Sequence, residues 1–333
     1  MIDGYHMDIK KLSDKVPILI DLREFDETPG PNCMSFGFDI KPLINSIENI
    51  GLINTPFVTR NMEGRLDIVA GYRRILALKA LKYDRAHCID LSDSGLSSLE
   101  MLLFNLYDNI AIRRFNEVEK GMILNRLMAH MSRKDIEEHY IQILGIKNRR
   151  DLDTLIRIDE LNETTKESIA HGAISTKTIG LILDLDNRSR SVILKWISDL
   201  NLNVNQQLKY IDYLIDISSR EGKPIADIMD EDRFLTLLKD KELNTPQKAK
   251  KMLVFLRARR LPLLTDSEKK FDKMIQNLKL PDGVRITHSP FFERKNYFLE
   301  IVFDNGRDLK KTIDNLARIE DLKRIGDPWR KGS

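Results

Sequence analysis

Apolar and polar residues alternate in short runs through the first third of the chain. Such alternation is typical of strands, whereas spacings of three and four residues are typical of helices. The runs are bounded by turn residues such as Pro29-Gly30 and Glu63-Gly64. Strands are predicted at residues 16–22, 56–59, 66–69 and 87–91, and a helix over 40–47 that stops near Gly51.

From Ser97 to about Leu200 nearly every segment has helical spacing. Within it, Ser132 is a predicted N-cap, Leu144-Gly145-Ile146 a tight turn, and residues 148–158 the helix that follows. This order predicts a helix-turn-helix at about 132–158. Polar residues 201–206 suit a hinge, and more helix is predicted to Asp240.

The end of the chain changes character again. It predicts helix 268–278, a turn at 281–283, strands 284–287 and 297–303, a turn at 304–306, and helix 309–319. Roughly fifty residues in this order cannot cover both faces of a two-stranded sheet. A second copy of the chain would cover the open face, which predicts a homodimer.

Composition narrows the class of protein. With 333 residues, 42% hydrophobic and 32% charged, the chain predicts two or three globular domains. It has no apolar run of membrane-spanning length, and its start, with Asp3, His6 and Asp8, lacks signal-peptide character, so a cytoplasmic protein without a membrane partner is expected. Cys33 and Cys88 suit reduced structural thiols. The six histidines form no metal-ligand motif, and the net charge of +3 is too small to identify a nucleic-acid partner.

The segment Leu66–Leu81 carries the most informative chemistry. A strand becomes a helix at Gly71, and Arg73 and Arg74 stand in the helix's first turn, where the dipole opposes each cation by roughly 0.3–1 kcal/mol. Free amides, a glycine and two guanidiniums together suit a phosphate group. The alternative is that both arginines are ordinary solvated surface charges.

The second helix of the predicted helix-turn-helix is amphipathic. Leu152, Leu155, Ile156 and Ile158 are expected to face inward. Donors suited to phosphates and base edges are expected on the other side: Lys147, Asn148, Arg149, Arg150, Thr154 and Arg157. The alternative is a solvated charged helix in an all-α bundle. The same choice applies to the basic stretch 248–260.

The motifs, taken in order, resemble the ParB family of DNA-partition proteins. Residues 43–58, including Gly51-Leu52-Ile53-Asn54-Thr55-Pro56, resemble the family's first box. Ala70-Gly71-Tyr72-Arg73-Arg74 resembles its GERR box, and Tyr107-Asp108-Asn109-Ile110 with 115–119 resembles its third box. Gly172-Ala173-Ile174-Ser175 and the end block also match.

The resemblance implies roles for individual residues. The nucleotide-binding residues would be Thr55, Pro56, Gly71, Tyr72, Arg73, Arg74 and Asn109. Asn109 would also hold Mg²⁺, and Asp108 occupies the position of the hydrolytic glutamate. Family members use CTP, but Tyr72 replaces the glutamate of GERR and Asp108 is one methylene shorter, so CTP hydrolysis is expected to be weak at most. Arg113 and Arg114 either supply replacement charge or form a solvated helix start.

The implied fold class has three parts. These are an α+β N-terminal ParB/sulfiredoxin-like domain, a mainly α central domain with the helix-turn-helix, and a small α/β C-terminal dimerisation domain. The expected boundaries are 1–96, 97–205, a basic helical connector at 206–262, and 263–333. The implied partners are double-stranded DNA, a second copy and a partition ATPase, with a cytoplasmic, nucleoid-associated location.

Three functional hypotheses remain open at this point. The first is a CTP-responsive DNA clamp in chromosome, plasmid or mobile-element partition. The second is a ParB-fold transcriptional regulator without nucleotide hydrolysis. The third is a small-molecule phosphotransferase, because sulfiredoxin and free-serine kinases share the N-terminal fold. A nuclease is disfavoured, since no carboxylate cluster suits a two-metal site.

Overall fold

A computed structural model describes residues 15–25, 29–294 and 296–326. Contacts divide the chain into two compact units, one ending at Leu208 and the other beginning at Lys209. The expected domain boundaries at 96, 205 and 262 stay predictions. Asp3, His6 and Asp8 lie outside the described residues. Among the helices of these ranges, none has the length and apolar character needed to cross a bilayer.

The first unit begins with a four-stranded sheet formed by the described residues. Its strands are β1 (Ile18–Asp21), β2 (Phe57–Arg60), β3 (Leu66–Ala70) and β4 (Arg85–Asp90). The order is β1-β4-β2-β3. β4 pairs antiparallel with β1 and parallel with β2, and β2 pairs antiparallel with β3. All four strands were predicted from the sequence, with bounds that differ by at most two residues.

Two helices pack on the sheet and fix the β3–helix junction. They are α1 (Lys41–Ile50) and α2 (Tyr72–Ala80). The core between them and the sheet includes Ile47, Val58, Leu66, Ile75 and Leu78. The apolar spacing of both helices follows from this burial, because each has one face on the sheet and one on solvent.

The rest of the first unit is helical, as predicted. Its α-helices are α3 (Ser98–Ile112), α4 (Glu117–Met128), α5 (Arg133–His139), α6 (Arg149–Ile156), α7 (Glu163–Ala170), α8 (Thr176–Leu183) and α9 (Asn187–Asp199). A 3₁₀ helix follows α6 at Arg157–Glu160. α10 (Val204–Glu221) begins here and continues into the second unit.

The second unit is helical with a small hairpin. It contains α11 (Ile225–Met229), α12 (Asp232–Lys239), α13 (Thr245–Arg260), α14 (Pro262–Asn277), β5 (Val284–His288), β6 (Tyr297–Ile301) and α15 (Gly306–Ala317). β5 and β6 form an antiparallel pair. The predicted helix 268–278 starts six residues earlier in the structure, because Pro262 is tolerated in a first turn. The predicted strand 297–303 ends at Ile301.

Candidate functional site

The predicted phosphate-binding junction forms as a strand, a left-handed glycine and a helix. Gly71 has φ of 97° and stands at the N-cap of α2, where no side chain caps the free amides. A Cβ at this position would lie 3.0 Å from Cβ of Pro56, so the backbones of the two segments are in close contact. Glycine is required here by both the angle and the space. The predicted residue Pro56 is buried against Gly71, and Thr55 beside it is half-buried.

Arg73 and Arg74 have different surroundings. Arg73 donates through Nη2 to Oε1 of Glu119 at 2.7 Å and through Nε to the Ser35 hydroxyl at 3.2 Å. Its guanidinium also lies 4.3 Å from the Phe38 ring centre. Burial, and then the charge of Arg113, lower the pKa of Arg73. Arg73 is therefore not an ordinary solvated charge.

Arg74 is half-buried, and within the described ranges it has no carboxylate partner. Its Nη1 lies 3.4 Å from where a Cβ on Gly71 would stand, so the side chain stays close to the helix start. Tyr72, also half-buried, contacts Phe38 edge-on at 6.3 Å. A cation without an internal anion, at the positive end of a helix, is a favourable place for a phosphate.

The predicted third-box residues lie near the C-terminal end of α3. Asn109 is committed to protein partners: its amide nitrogen donates to Asn105, and its Oδ1 accepts from Nε of Arg113 at 2.8 Å. Asp108 is half-buried and has no partner in the described part of the chain. Asp108 is therefore the readier oxygen donor of the two.

Arg113 lies in a network that the sequence did not reveal. Of the two alternatives for this residue, the solvated helix start is wrong, because its side chain is 16% exposed and pairs with Glu119 at 2.7 Å. It also donates to the Met34 carbonyl at 2.9 Å. Spacing within 108–119 could not show this contact, since Met34 comes from a distant loop.

Glu119 is a site residue to which sequence analysis assigned no role, although it lies in the third-box motif. Its side chain is 1% exposed, although it is charged and stands in the first turn of α4. Its other sequence signal was its place three residues after Asn116, where it completes a capping box. That signal explains a helix start but gives no hint of the two arginines.

The donors at the site decide whether it can hold a metal ion or a nucleotide. No group of three or more His, Cys, Asp or Glu that could hold a metal is found within the described ranges. Mg²⁺ bound to phosphates needs only one or two protein oxygens. Asp108 offers a free carboxylate, whereas the Asn109 oxygen would first have to leave Arg113. The residues therefore fit a phosphate-bound Mg²⁺ without forming a cage for the ion.

A separate cleft of about 680 Å³ opens near the N-terminal end of α3. The β2–β3 turn and α4 form its walls, which include Arg60, Asp67, Met101 and Arg126. It contains none of the predicted nucleotide-binding residues. We assign the candidate phosphate site to the Gly71 junction instead, because uncapped helix amides lie there beside the Arg74 guanidinium, which has no carboxylate partner among the residues described.

Two helices, α5 and α6, lie where the helix-turn-helix was predicted. Ser132 caps α5 through a capping box, and Asn148 caps α6 by accepting from the Asp151 amide at 2.9 Å. The second helix is shorter than expected: α6 ends at Ile156 and continues as a 3₁₀ turn. Leu152, Leu155 and Ile158 are buried as predicted, whereas Ile156 is only half-buried.

The donors predicted on α6 divide into two groups. Lys147, Asn148, Arg149 and Arg150 are exposed around the helix start. Arg149 pairs with Glu137 at 3.0 Å but keeps its side chain 81% exposed. Lys147 and Arg150 have no carboxylate partner in the part of the chain that the structure describes.

Thr154 and Arg157 differ from expectation. Thr154 is buried, and its hydroxyl donates to the Arg150 carbonyl at 3.0 Å. It faces Gly180 of α8, so the prediction that it presents a donor to solvent is wrong. Arg157 lies in the 3₁₀ turn and pairs with Glu160 and Asp184 at 2.9 and 2.8 Å. Its guanidinium is already neutralised by protein.

The arginines of the basic stretch on α13 are also paired with neighbouring carboxylates. Arg257 pairs with Glu268 at 2.6 Å, and Arg260 with Asp212 at 2.7 Å. Arg259 pairs with both Glu221 and Glu231. These arginines stabilise the second unit and do not form an open phosphate-binding surface.

No protein-family model matches the chain. A probable chromosome-partitioning protein ParB from Campylobacter jejuni is 27% identical over 214 residues, which are 62% of this chain and 73% of the relative. A nucleoid occlusion protein from Halalkalibacterium halodurans is 26% identical over 180 residues, 53% of this chain and 60% of that protein.

Solved structures of ParB from Caulobacter crescentus also match. A truncated form with CTP-gamma-S covers 50% of this chain and 92% of its own, with 20% identity and a TM-score of 0.26. The form with the parS site covers 57% and 96%, with 17% identity and a TM-score of 0.32. The curated relatives confirm the resemblance of this chain to the ParB family.

Proposed function

We propose that this protein is a ParB-like DNA-binding protein of chromosome, plasmid or mobile-element partition, and that it responds to a nucleoside triphosphate, CTP in the first place. The curated relatives support the partition role through their printed functions. The observation that supports nucleotide binding is the environment of Arg74. This half-buried cation lies beside a left-handed glycine and has no carboxylate partner in the described ranges.

Different residues of the chain would bind the phosphates and the metal ion of the nucleotide. The free amides after Gly71 and the Arg74 guanidinium would bind phosphate oxygens. Arg73 would contribute whichever N–H groups Glu119 and Ser35 leave free. Asp108, with Asn109 once released by Arg113, would hold Mg²⁺, which supplies charge neutralisation on the phosphates. Asp108 is also the candidate to orient water in a slow hydrolysis.

The DNA contact would come from the start of α6. Lys147, Arg149 and Arg150 are exposed cations at that end, which suits phosphate contact and the edge of the major groove. Homodimers bind two half-sites related by two-fold symmetry, so a palindromic duplex is the expected target. A partition ATPase remains a proposed partner on the strength of the resemblance alone.

One specific observation favours a second candidate, a DNA-binding regulator that needs no nucleotide turnover. Arg73 and Asn109 are both held by protein groups, and Tyr72 and Asp108 depart from the family's motifs. Such a protein would bind DNA with the same α6 residues.

Calorimetry with CTP, ATP and GTP in Mg²⁺ tests the nucleotide. We expect CTP to bind, and Arg74→Ala to weaken it about tenfold because a charged hydrogen bond is lost. Arg85→Ala, an exposed arginine on β4, is the matched control. Heat from none of the three nucleotides would leave the regulator as the better candidate.

Gel shifts on a duplex selected from a random pool test the DNA contact. Arg150→Ala should reduce the dependence of log K on log salt by about one unit, the effect of one phosphate contact. Lys195→Ala, an exposed lysine on α9, is the control. Equal slopes for both variants would remove α6 from the interface.

A further inference from the structure

The cleft of about 680 Å³ near the N-terminal end of α3 has buried polar side chains on its walls, Asn32 and Thr59 among them. Asn32 is 6% exposed and Thr59 is 8% exposed, so both are more than nine-tenths buried. Among the residues that the structure describes, neither the Asn32 amide nor the Thr59 hydroxyl has a hydrogen-bond partner. Such groups cost free energy unless something in the cleft hydrogen-bonds to them.

Two opposite charges line the same cleft without pairing with each other. Asp67 of β3 lies directly across from Thr59 of β2, is half-buried, and has no partner in the described ranges. Arg126 of α4 is also half-buried, and burial lowers its pKa. Its Nε donates to the Pro31 carbonyl at 2.7 Å and its Nη1 to the Met122 carbonyl at 3.3 Å. Within the described part of the chain, its Nη2 donates to no group.

One short segment runs between the two charges. Oδ1 of Asp67 lies 3.8 Å from the position that a Cβ on Gly30 would take. The next residue, Pro31, accepts the hydrogen bond from Arg126, and Asn32 follows it. Because consecutive Cα atoms are about 3.8 Å apart, one small ligand can reach the carboxylate, the amide and the guanidinium.

The walls of the cleft also include apolar side chains. These are Met101 and Leu102 of α3 and Met122 of α4. Methionine side chains adapt to apolar groups of irregular shape, and clefts of about 300–1,000 Å³ are the size that encloses small molecules. A complementary ligand therefore has an ammonium for Asp67, a carboxylate for Arg126 and an apolar body for the methionines.

We propose that this cleft binds a zwitterionic ligand with apolar side chains, of the size of a dipeptide or tripeptide. The ligand's ammonium donates to Asp67, and its carboxylate accepts from Arg126. Its peptide groups pair with Asn32 and Thr59. The site is separate from the Gly71 junction, and it does not depend on nucleotide binding by the chain.

Calorimetric titration of the full chain with leucine, dileucine and trileucine tests the class of ligand. Trileucine should bind more tightly than leucine, because it covers more apolar surface in the cleft. N-acetyl-trileucine lacks the ammonium and trileucine amide lacks the carboxylate. Each should bind about tenfold more weakly than trileucine, since a charged hydrogen bond is lost. No heat from any of the three at millimolar concentration, or equal Kd values for leucine and trileucine, would overturn the proposal.

Two variants assign each end of the ligand to its residue. In Asp67→Asn, trileucine and its N-acetyl form should bind equally, whereas amidation should still weaken binding. In Arg126→Gln, trileucine and its amide should bind equally, whereas acetylation should still weaken binding. Both comparisons are made within one variant, so a general loss of stability does not imitate the result.

Matched controls remove exposed charges outside the cleft. Asp93→Asn and Arg85→Gln should keep the effects of both acetylation and amidation. If Asp67→Asn and Arg126→Gln keep both effects as well, trileucine binds elsewhere and the proposal is overturned. Should Arg126→Gln fail to fold by circular dichroism, Asp67→Asn decides.

Discussion

Gly71 combines a backbone angle and a packing contact at one residue. Its φ of 97° disfavours any side chain, and Pro56 occupies the space that a Cβ would need. The sequence indicated this glycine because it separates a strand pattern from a helical one. The angle explains why α2 can start without a side-chain cap and so leave its amides free.

We predict that Gly71→Ala lowers the free energy of unfolding of the chain by about 1–3 kcal/mol, from left-handed strain and the Pro56 contact. Urea unfolding followed by circular dichroism measures the change. Gly64→Ala is the control, because it has a similar φ of 77° but no atom within 4 Å of its Cβ. A loss no larger than that of the control would show that the angle alone matters at residue 71.

At the scale of elements, α13 shows why a basic run is a poor guide to nucleic-acid binding. Arg259 donates to the carboxylate of Glu221, which lies on α10, and to the carboxylate of Glu231, which is the N-cap of α12. The sequence contained the cations, but their carboxylates come from other helices. Only the packing of those helices decided that the charges are paired.

The ion pairs of Arg259 with Glu221 and Glu231 predict a pH dependence of stability. Hydrogen bonds from Arg259 lower the pKa of Glu221 from 4.5 to about 2. Because the pKa of Glu221 is lower in the folded state than in the unfolded state, its ionised form stabilises the fold at pH values above the unfolded pKa. This stabilisation is lost as pH falls from about 4.5 towards 2. The free energy of unfolding of the unmodified protein should therefore fall between pH 5 and 3. In Arg259→Met this fall should be smaller by roughly 1–2 kcal/mol, allowing for solvent screening.

Thermal unfolding of the full chain across this pH range measures the effect. Lys310→Met breaks only an exposed pair with Asp314 and should leave the pH profile unchanged. Parallel profiles of stability against pH for Arg259→Met and the unmodified protein would contradict an ionic role for the pairs of Arg259 with Glu221 and Glu231.

At the scale of the whole molecule, the hairpin of the second unit has apolar side chains open to solvent. Leu299 is 56% exposed and Val302 is 69% exposed, with Phe298, Phe303 and Ile313 also open. A two-stranded sheet needs further cover to be stable, as the sequence already suggested. Pairing with a second copy remains the proposal for this surface.

We predict that the protein is a dimer and that Leu299→Asp shifts it towards monomer, because a carboxylate would be buried without a partner. Sedimentation equilibrium over a range of concentrations measures the association. Lys311→Asp, an exposed change of charge on α15, is the control. A monomer at every concentration for the unmodified protein would refute the dimer.

The sequence by itself determined features that depend on neighbouring residues. Strand β3, Gly71, α2, the capped α5 and the turn before α6 all follow from local spacing, caps and glycine angles. The resemblance to the ParB family was likewise present in short motifs of adjacent residues. Helix ends were less certain, because tertiary packing continues α6 as a 3₁₀ turn.

Only the tertiary structure decided which charged side chains are free. Glu119 pairs with Arg73 across 46 positions and Arg259 with Glu221 across 38, while Thr154 turns inward to meet Gly180. No local pattern reports such partners, because the energy of a charge depends on what the fold brings beside it. For that reason the sequence identified Arg73 and Arg74 together, whereas the structure separated a guanidinium held by Glu119 from one that has no carboxylate partner in the described part of the chain.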